Sequence, residues 1–140
     1  MAYVTREDVR KVVTTKLETL RASFTDYQLV IEYDNLETVN QATQSDPYVV
    51  VTFRYLDGYQ INLGPSSETR ALGTIVLEVF DKYGAGTARQ NKVLDHFYRS
   101  LHKTDSMAPV RTLAARFSSK PVQAGWAAQA ALIPFWYDTE

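Results

Sequence analysis

The chain has 140 residues, 45% of them hydrophobic and 22% charged, proportions that fit a single globular domain with a sizeable core. Its net charge is −1 and it holds no cysteine. An overall basic surplus for nucleic-acid backbone is therefore excluded, as are disulfides and thiolate metal sites.

The N-terminus "MAYVTREDVRKVV" mixes acids and bases within its first ten residues and lacks the basic start and apolar block of a secretory leader. With no cysteine, the expectation is a protein made and used in a reducing cytoplasm. Thr5 predicts a helix start, with Asp8 as its capping-box partner and Glu7 and Asp8 suited to the positive end of the helix dipole. Val9, Val12, Val13, Leu17 and Leu20 then share one face, with Arg10, Lys11, Glu18 and Arg21 on the polar side, the pattern of a surface helix packed on a sheet.

"YQLVIEYDN" predicts a short strand, and the polar stretch from Glu37 to Asp46 a loop. In "PYVVVTFRYLDGYQINLG", Val49, Val51, Phe53 and Tyr55 alternate with Tyr48, Val50, Thr52 and Arg54, a period of two. Asp57-Gly58 predicts a hairpin turn, which needs positive φ. Its return strand would run from Tyr59 to Leu63 and close at Gly64-Pro65. Arg70 to Phe80 predicts the central strand, with Ile75, Val76, Leu77, Val79 and Phe80 covering both faces. A second helix follows over roughly 87–102, with a stripe of Val93, Leu94, Phe97 and Leu101. Arg99, His102 and Lys103 sit at its end, where cations suit the dipole.

"VRTLAARFSS" and "AAQAALIPFWY" predict the last strands. Pro121 to Tyr137 carries no charge, but it includes Gln123, Gly125, Gln129 and Pro134 and falls short of the roughly 20 apolar residues of a membrane helix. It reads as buried or interface strand, with no membrane association. The order α-β-β-β-β-α-β-β predicts an α+β fold. Its sheet is mixed and mainly antiparallel, with two main helices packed against one face, in a single domain over 1–140.

Strand, glycine turn and helix around Gly84-Ala85-Gly86-Thr87 raise the question of a phosphate loop. A Walker loop needs a Gly-Lys pair and a following hydroxyl, and a dinucleotide fingerprint needs a third glycine where Arg89 stands. The loop therefore reads as a structural turn: Gly84 and Gly86 free the backbone, and Thr87 caps the helix with Gln90 as partner. His96 and His102 are six apart and share no helix face for a metal. Glu78 and Asp81 flank the loop without forming an evident acid/base pair, and no serine elbow is present. Tyr48, Phe53, Tyr55 and Tyr59 cluster around Arg54; base stacking is one use of such a group, core and subunit interface the preferred one. No catalytic residue, cofactor or metal is assigned.

Taken together, the helix before "VIEYDN", the "DPYVVVTFRY" strand and "ETRALGTIVLEVFDKYGAGTARQNKVLDHFYRSL" resemble the tail terminator proteins of long-tailed, lambda-like bacteriophages, a minor tail protein class. Arg70 and Gly73 match the family's entry to the central strand, and Gly84, Gly86 and Thr87 its strand-to-helix turn. The resemblance implies a non-enzymatic virion protein at the head-proximal end of the tail, assembled in the host cytoplasm. It would form a homo-oligomeric ring, usually a hexamer, that stops growth of the tail tube protein and offers a face to the head–tail connector. DNA would pass through its lumen without specific binding. Candidate ring contacts are Asp57, Gly58 and Tyr59 and, in the uncharged C-terminal strands, Trp126, Phe135 and Trp136. A neck or tail-completion protein of the same virion region is the nearest alternative. A small nucleotide- or phosphate-binding enzyme using the 84–87 loop is the alternative from another class.

Overall fold

The computed structural model describes residues 4–33, 44–60, 69–82, 84, 87–104, 106–123 and 125–139, without the side chains of 57–60, 120–123 and 139. Among the described residues two helices and six strands follow one another: α1 (Arg6–Ser23), β1 (Ile31–Tyr33), β2 (Tyr48–Gln60), β3 (Thr69–Lys82), α2 (Ala88–Leu101), β4 (Arg111–Thr112), β5 (Arg116–Gln123) and β6 (Trp126–Thr139). The sheet order is β1-β2-β3-β6-β4, with β5 also paired to β6. The β1–β2 pair is parallel and the others are antiparallel. This is the expected α+β fold, with one mixed, mostly antiparallel sheet.

Both helices bury their apolar stripes on the same sheet face. Val9, Val13, Leu17 and Leu20 of α1 and Val93, Leu94, Phe97 and Leu101 of α2 form one cluster with Val49, Val51, Ile75, Leu77, Val79, Ile133 and Phe135. Those strand residues are all odd-numbered, so the period of two assigns them to one side of the pleat. α1 begins as its sequence requires. The Asp8 amide donates to Thr5 Oγ1 at 3.1 Å and the Thr5 amide donates to Asp8 Oδ2 at 2.9 Å, a complete capping box.

Two sequence expectations about strands are corrected. Asp57-Gly58 is not a hairpin turn, and no separate return strand begins at Tyr59. β2 continues through Gln60 and pairs with β3, with one extra residue between Leu56↔Leu72 and Tyr59↔Arg70. The backbone tolerance that suits Asp-Gly to a turn also suits it to a β-bulge, and the long register with β3 decides between them. The predicted Gly64-Pro65 closure lies outside the described residues. "VRTLAARFSS" also divides, into β4 and β5. Between them the Leu113 amide donates to the Pro134 carbonyl at 2.8 Å and the Ala115 amide to His102 Nδ1 at 3.0 Å, so Ala115 takes a helix-end histidine instead of a ladder partner. The strands therefore divide three and three around α2.

Candidate interaction surface

Both helices lie on one side of the sheet; the even-numbered residues of β3, β5, β6 and of β2 up to Leu56 occupy the other, joined from β4 by the odd-numbered Arg111. Across this second face run the rows Thr52↔Val76↔Leu132↔Arg116 and Leu56↔Leu72↔Trp136↔Arg111, with Arg54↔Thr74↔Pro134 between them. The floor is apolar and the surround is arginine. At its centre is Trp136, with the Arg70 guanidinium 3.8 Å and the Arg111 guanidinium 5.2 Å from the ring centroid, a cation–π arrangement. Asp138, paired with Arg70 across the strands, accepts from its Nε at 2.8 Å and its Nη2 at 3.2 Å. That fork fixes the guanidinium plane over the indole. Leu56 is 57% exposed on the same face.

The predicted interface residues separate. Phe135 points into the core beneath Gly73, and Trp126 is buried edge-on to Tyr48, ring centroids 5.4 Å apart. Neither ring is a surface group of this chain. Trp136 alone of the three is partly exposed. Asp57, Gly58 and Tyr59 lie in the bulged end of β2, and their side chains are outside the described residues. The aromatic cluster also divides by parity: Phe53 and Tyr55 stack on the helix side, while Tyr48 stacks on Phe80 on the other. Arg70 and Gly73, singled out by pattern, acquire physical roles. A Cβ on Gly73 would lie 2.3 Å from Phe135 Cζ and 2.8 Å from the Arg54 carbonyl oxygen, so only glycine lets that ring cross the sheet face.

The glycine turn is a joint closed by charge. Gly84 has φ +96°, the region that favours glycine; Gly86 lies outside the described residues. Asp81, 1% exposed, accepts from Arg89 Nη2 at 2.7 Å and Nε at 3.1 Å, and from the Lys82 amide at 2.8 Å. The hydrogen bond to Asp81, foremost, holds the Arg89 guanidinium pKa above its usual value. Thr87 stands at the helix start without a side-chain capping bond, and the expected Thr87–Gln90 cap is not formed. Gln90 is instead buried, donating to the Val79 carbonyl at 3.0 Å and the Ala127 carbonyl at 2.8 Å. The first-turn Arg89 and Gln90 side chains are thus committed to the sheet, beside a buried carboxylate that would repel a phosphate.

A groove of about 450 Å³ lies between the end of α1 and α2, lined by Ser23, Asp26, Lys92, Asp95, His96 and Arg99 among others. Ser23 Oγ is 3.1 Å from His96 Nε2, the spacing of a nucleophile and its base. The same nitrogen lies 2.6 Å from the Leu20 carbonyl. A carbonyl accepts only, so Nε2 carries the proton and cannot take one from Ser23. Lys92 is committed to Asp26. Among the described residues no cluster of three His, Cys, Asp or Glu could hold a metal ion, and no helix is long and apolar enough to cross a membrane.

No family model and no curated protein matches the chain. Twenty-two solved chains do. One of them, 12% identical, aligns over 98% of this chain and 96% of its own length with a TM-score of 0.67. The likeness is one of fold. It extends over nearly the whole length of both chains and leaves function to the surface chemistry described above.

Sequence reasoning had no local signal for Asp138, 68 residues from Arg70, or for Arg111. Their meeting at Trp136 depends on the β3–β6 and β4–β6 registers. The Asp81–Arg89 pair was closer to view, eight residues apart across a turn already in question.

Proposed function

We propose that the chain is a structural assembly subunit of the tail terminator type, which closes into a homo-oligomeric ring on the phage tail tube. In that role one ring surface meets the tube protein, another meets the head–tail connector, and DNA passes through the lumen. The observation that carries the reading is the helix-free sheet face: an apolar floor with a partly exposed tryptophan held between arginines. Tryptophan and arginine are the residue types enriched in protein–protein hot spots. The residue pattern from Arg70 to Thr87 supports the same family. The spent polar groups at the glycine turn and the proton-blocked Ser23–His96 contact weigh against an enzyme.

The test is the assembly state of the purified chain, by size-exclusion light scattering and negative-stain imaging. Ring-shaped oligomers are expected, with no thermal shift on adding ATP. A chain that stays monomeric at high concentration, alone and with tail tube protein, overturns the ring. Loss of the gene should yield overlong or headless tails; normal tails joined to heads overturn termination and favour a neighbouring neck role.

A further inference from the structure

Opposite edges of the sheet carry opposite charge. β1 forms one edge, paired to β2, and β4 and β5 form the other, each paired to β6. Glu32 stands on β1 level with Val50, in the row Val50↔Glu78↔Ala130↔Ser118. Arg116 stands on β5 two residues along, level with Leu132. Both belong to the helix-free face, at nearly the same height, a sheet's width apart. The sequence repeats the contrast: residues 31–46 hold Glu32, Asp34, Glu37 and Asp46 and no base, whereas 110–137 hold Arg111, Arg116 and Lys120 and no acid. The basic edge also offers apolar area, with Phe117 53% and Leu113 48% exposed.

Resting on the ring reading above, we infer that the occupant of the β5 edge is the β1 edge of a second copy of this chain, with Arg116 of one subunit meeting Glu32 of the next. Opposite charges on opposite edges are complementary under repeated rotation, which makes a heterologous contact that can close. A two-fold contact of β5 with β5 would bring the basic residues of both copies, Arg116 and Lys120, to one seam with no acid of β4, β5 or β6 up to Tyr137 to meet them, and is disfavoured by repulsion. Edge strands also present a row of backbone donors and acceptors toward a neighbour, so each junction would extend the sheet around the ring.

The experiment uses the full chain with Arg116→Glu, with Glu32→Lys, and an equimolar mixture of the two, followed by sedimentation and circular dichroism. Each variant alone should keep its secondary structure and dissociate, with the assembly dissociation constant raised at least about tenfold, a change of about 1.4 kcal/mol. Mixing should restore assembly, because each reversed edge then meets the other's reversed edge. Wild-type assembly should weaken as sodium chloride rises from about 0.05 to about 0.5 M, as the screening length shortens. Variants that assemble like wild type, a mixture that does not recover, or salt-independent assembly overturn the edge assignment and leave the ring reading standing. A wild-type chain that assembles neither alone nor with tail tube protein overturns both.

Discussion

Gly73 and Phe135 are the sharpest packing constraint at the scale of single residues. A methyl at position 73 overlaps the Phe135 ring and a backbone carbonyl, so Gly73→Ala should cost about 1–3 kcal/mol by overpacking. Urea denaturation should show a smaller cost in a Phe135→Leu background, because the two sites share one volume. Arg89 answers a buried charge. Arg89→Ala leaves the Asp81 carboxylate buried and short of its partner, at a cost of about 3 kcal/mol, near the low end for such pairs because the Arg89 side chain is 41% exposed. Adding Asp81→Asn should recover part of that loss; equal stability of wild type and Arg89→Ala would show that water already solvates Asp81. Gly73 was legible as a pattern position, but its reason was not, since Phe135 lies 62 positions away in sequence and directly opposite in register.

Among the elements, the two helix starts form a matched comparison. Thr5 completes a capping box and Thr87 caps nothing. Thr5→Ala should therefore destabilise by about 1 kcal/mol, whereas Thr87→Ala should stay within about 0.5 kcal/mol of wild type. Thermal unfolding of the two variants checks both, and equal effects would contradict the contrast. Sequence marked both threonines as caps from spacing alone. What separates them is the backbone at the cap, extended at Thr5 with ψ 166° but near-helical at Thr87 with ψ −3°, while the Gln90 amide is drawn to two carbonyls of the sheet. The strands divide in the same manner. β3 was read nearly to its ends because its apolar run is long, whereas Asp57-Gly58 suits a turn and a bulge equally and needed β3 alongside to decide.

For the whole molecule, the titrating groups define a stability window. The Glu7 carboxyl is held below its ordinary pKa chiefly by the hydrogen bond from Arg10, and Asp8 chiefly by the Thr5 backbone amide. Burial pushes Glu18 up, but hydrogen bonds from Arg21 and Tyr33 outweigh it and leave the carboxyl lowered. Each lowered carboxyl contributes stability above its unfolded value, lost as pH falls through the folded one. Burial pushes Tyr27 up to about 12. It also raises Tyr33, with the Glu18 hydrogen bond adding to it. Their contributions are complete below the ordinary value of 10.0 and lost as pH rises through the folded values. Urea midpoints across pH should form a plateau with an acid and an alkaline limb. Tyr27→Phe removes a buried hydroxyl that has no hydrogen-bond partner among the described residues, so neutral-pH stability should hold or rise while the alkaline limb shrinks. A loss at neutral pH beyond about 1 kcal/mol would mean that hydroxyl is bonded.

Composition and periodicity by themselves determined the fold class, the two helices with their buried stripes, the central strand and the cap on the first helix. Those features depend on neighbours within a few residues along the chain, where the spacing of apolar side chains and the chemistry of one capping pair suffice. Only the tertiary structure decided that Phe135 is core, that Trp136 is held between two arginines, and that the glycine turn is closed by Asp81 and Arg89. Each of these is a pairing across strands or across a turn, fixed by register and burial. One residue of slip in that register would turn every one of the strand side chains to the other face.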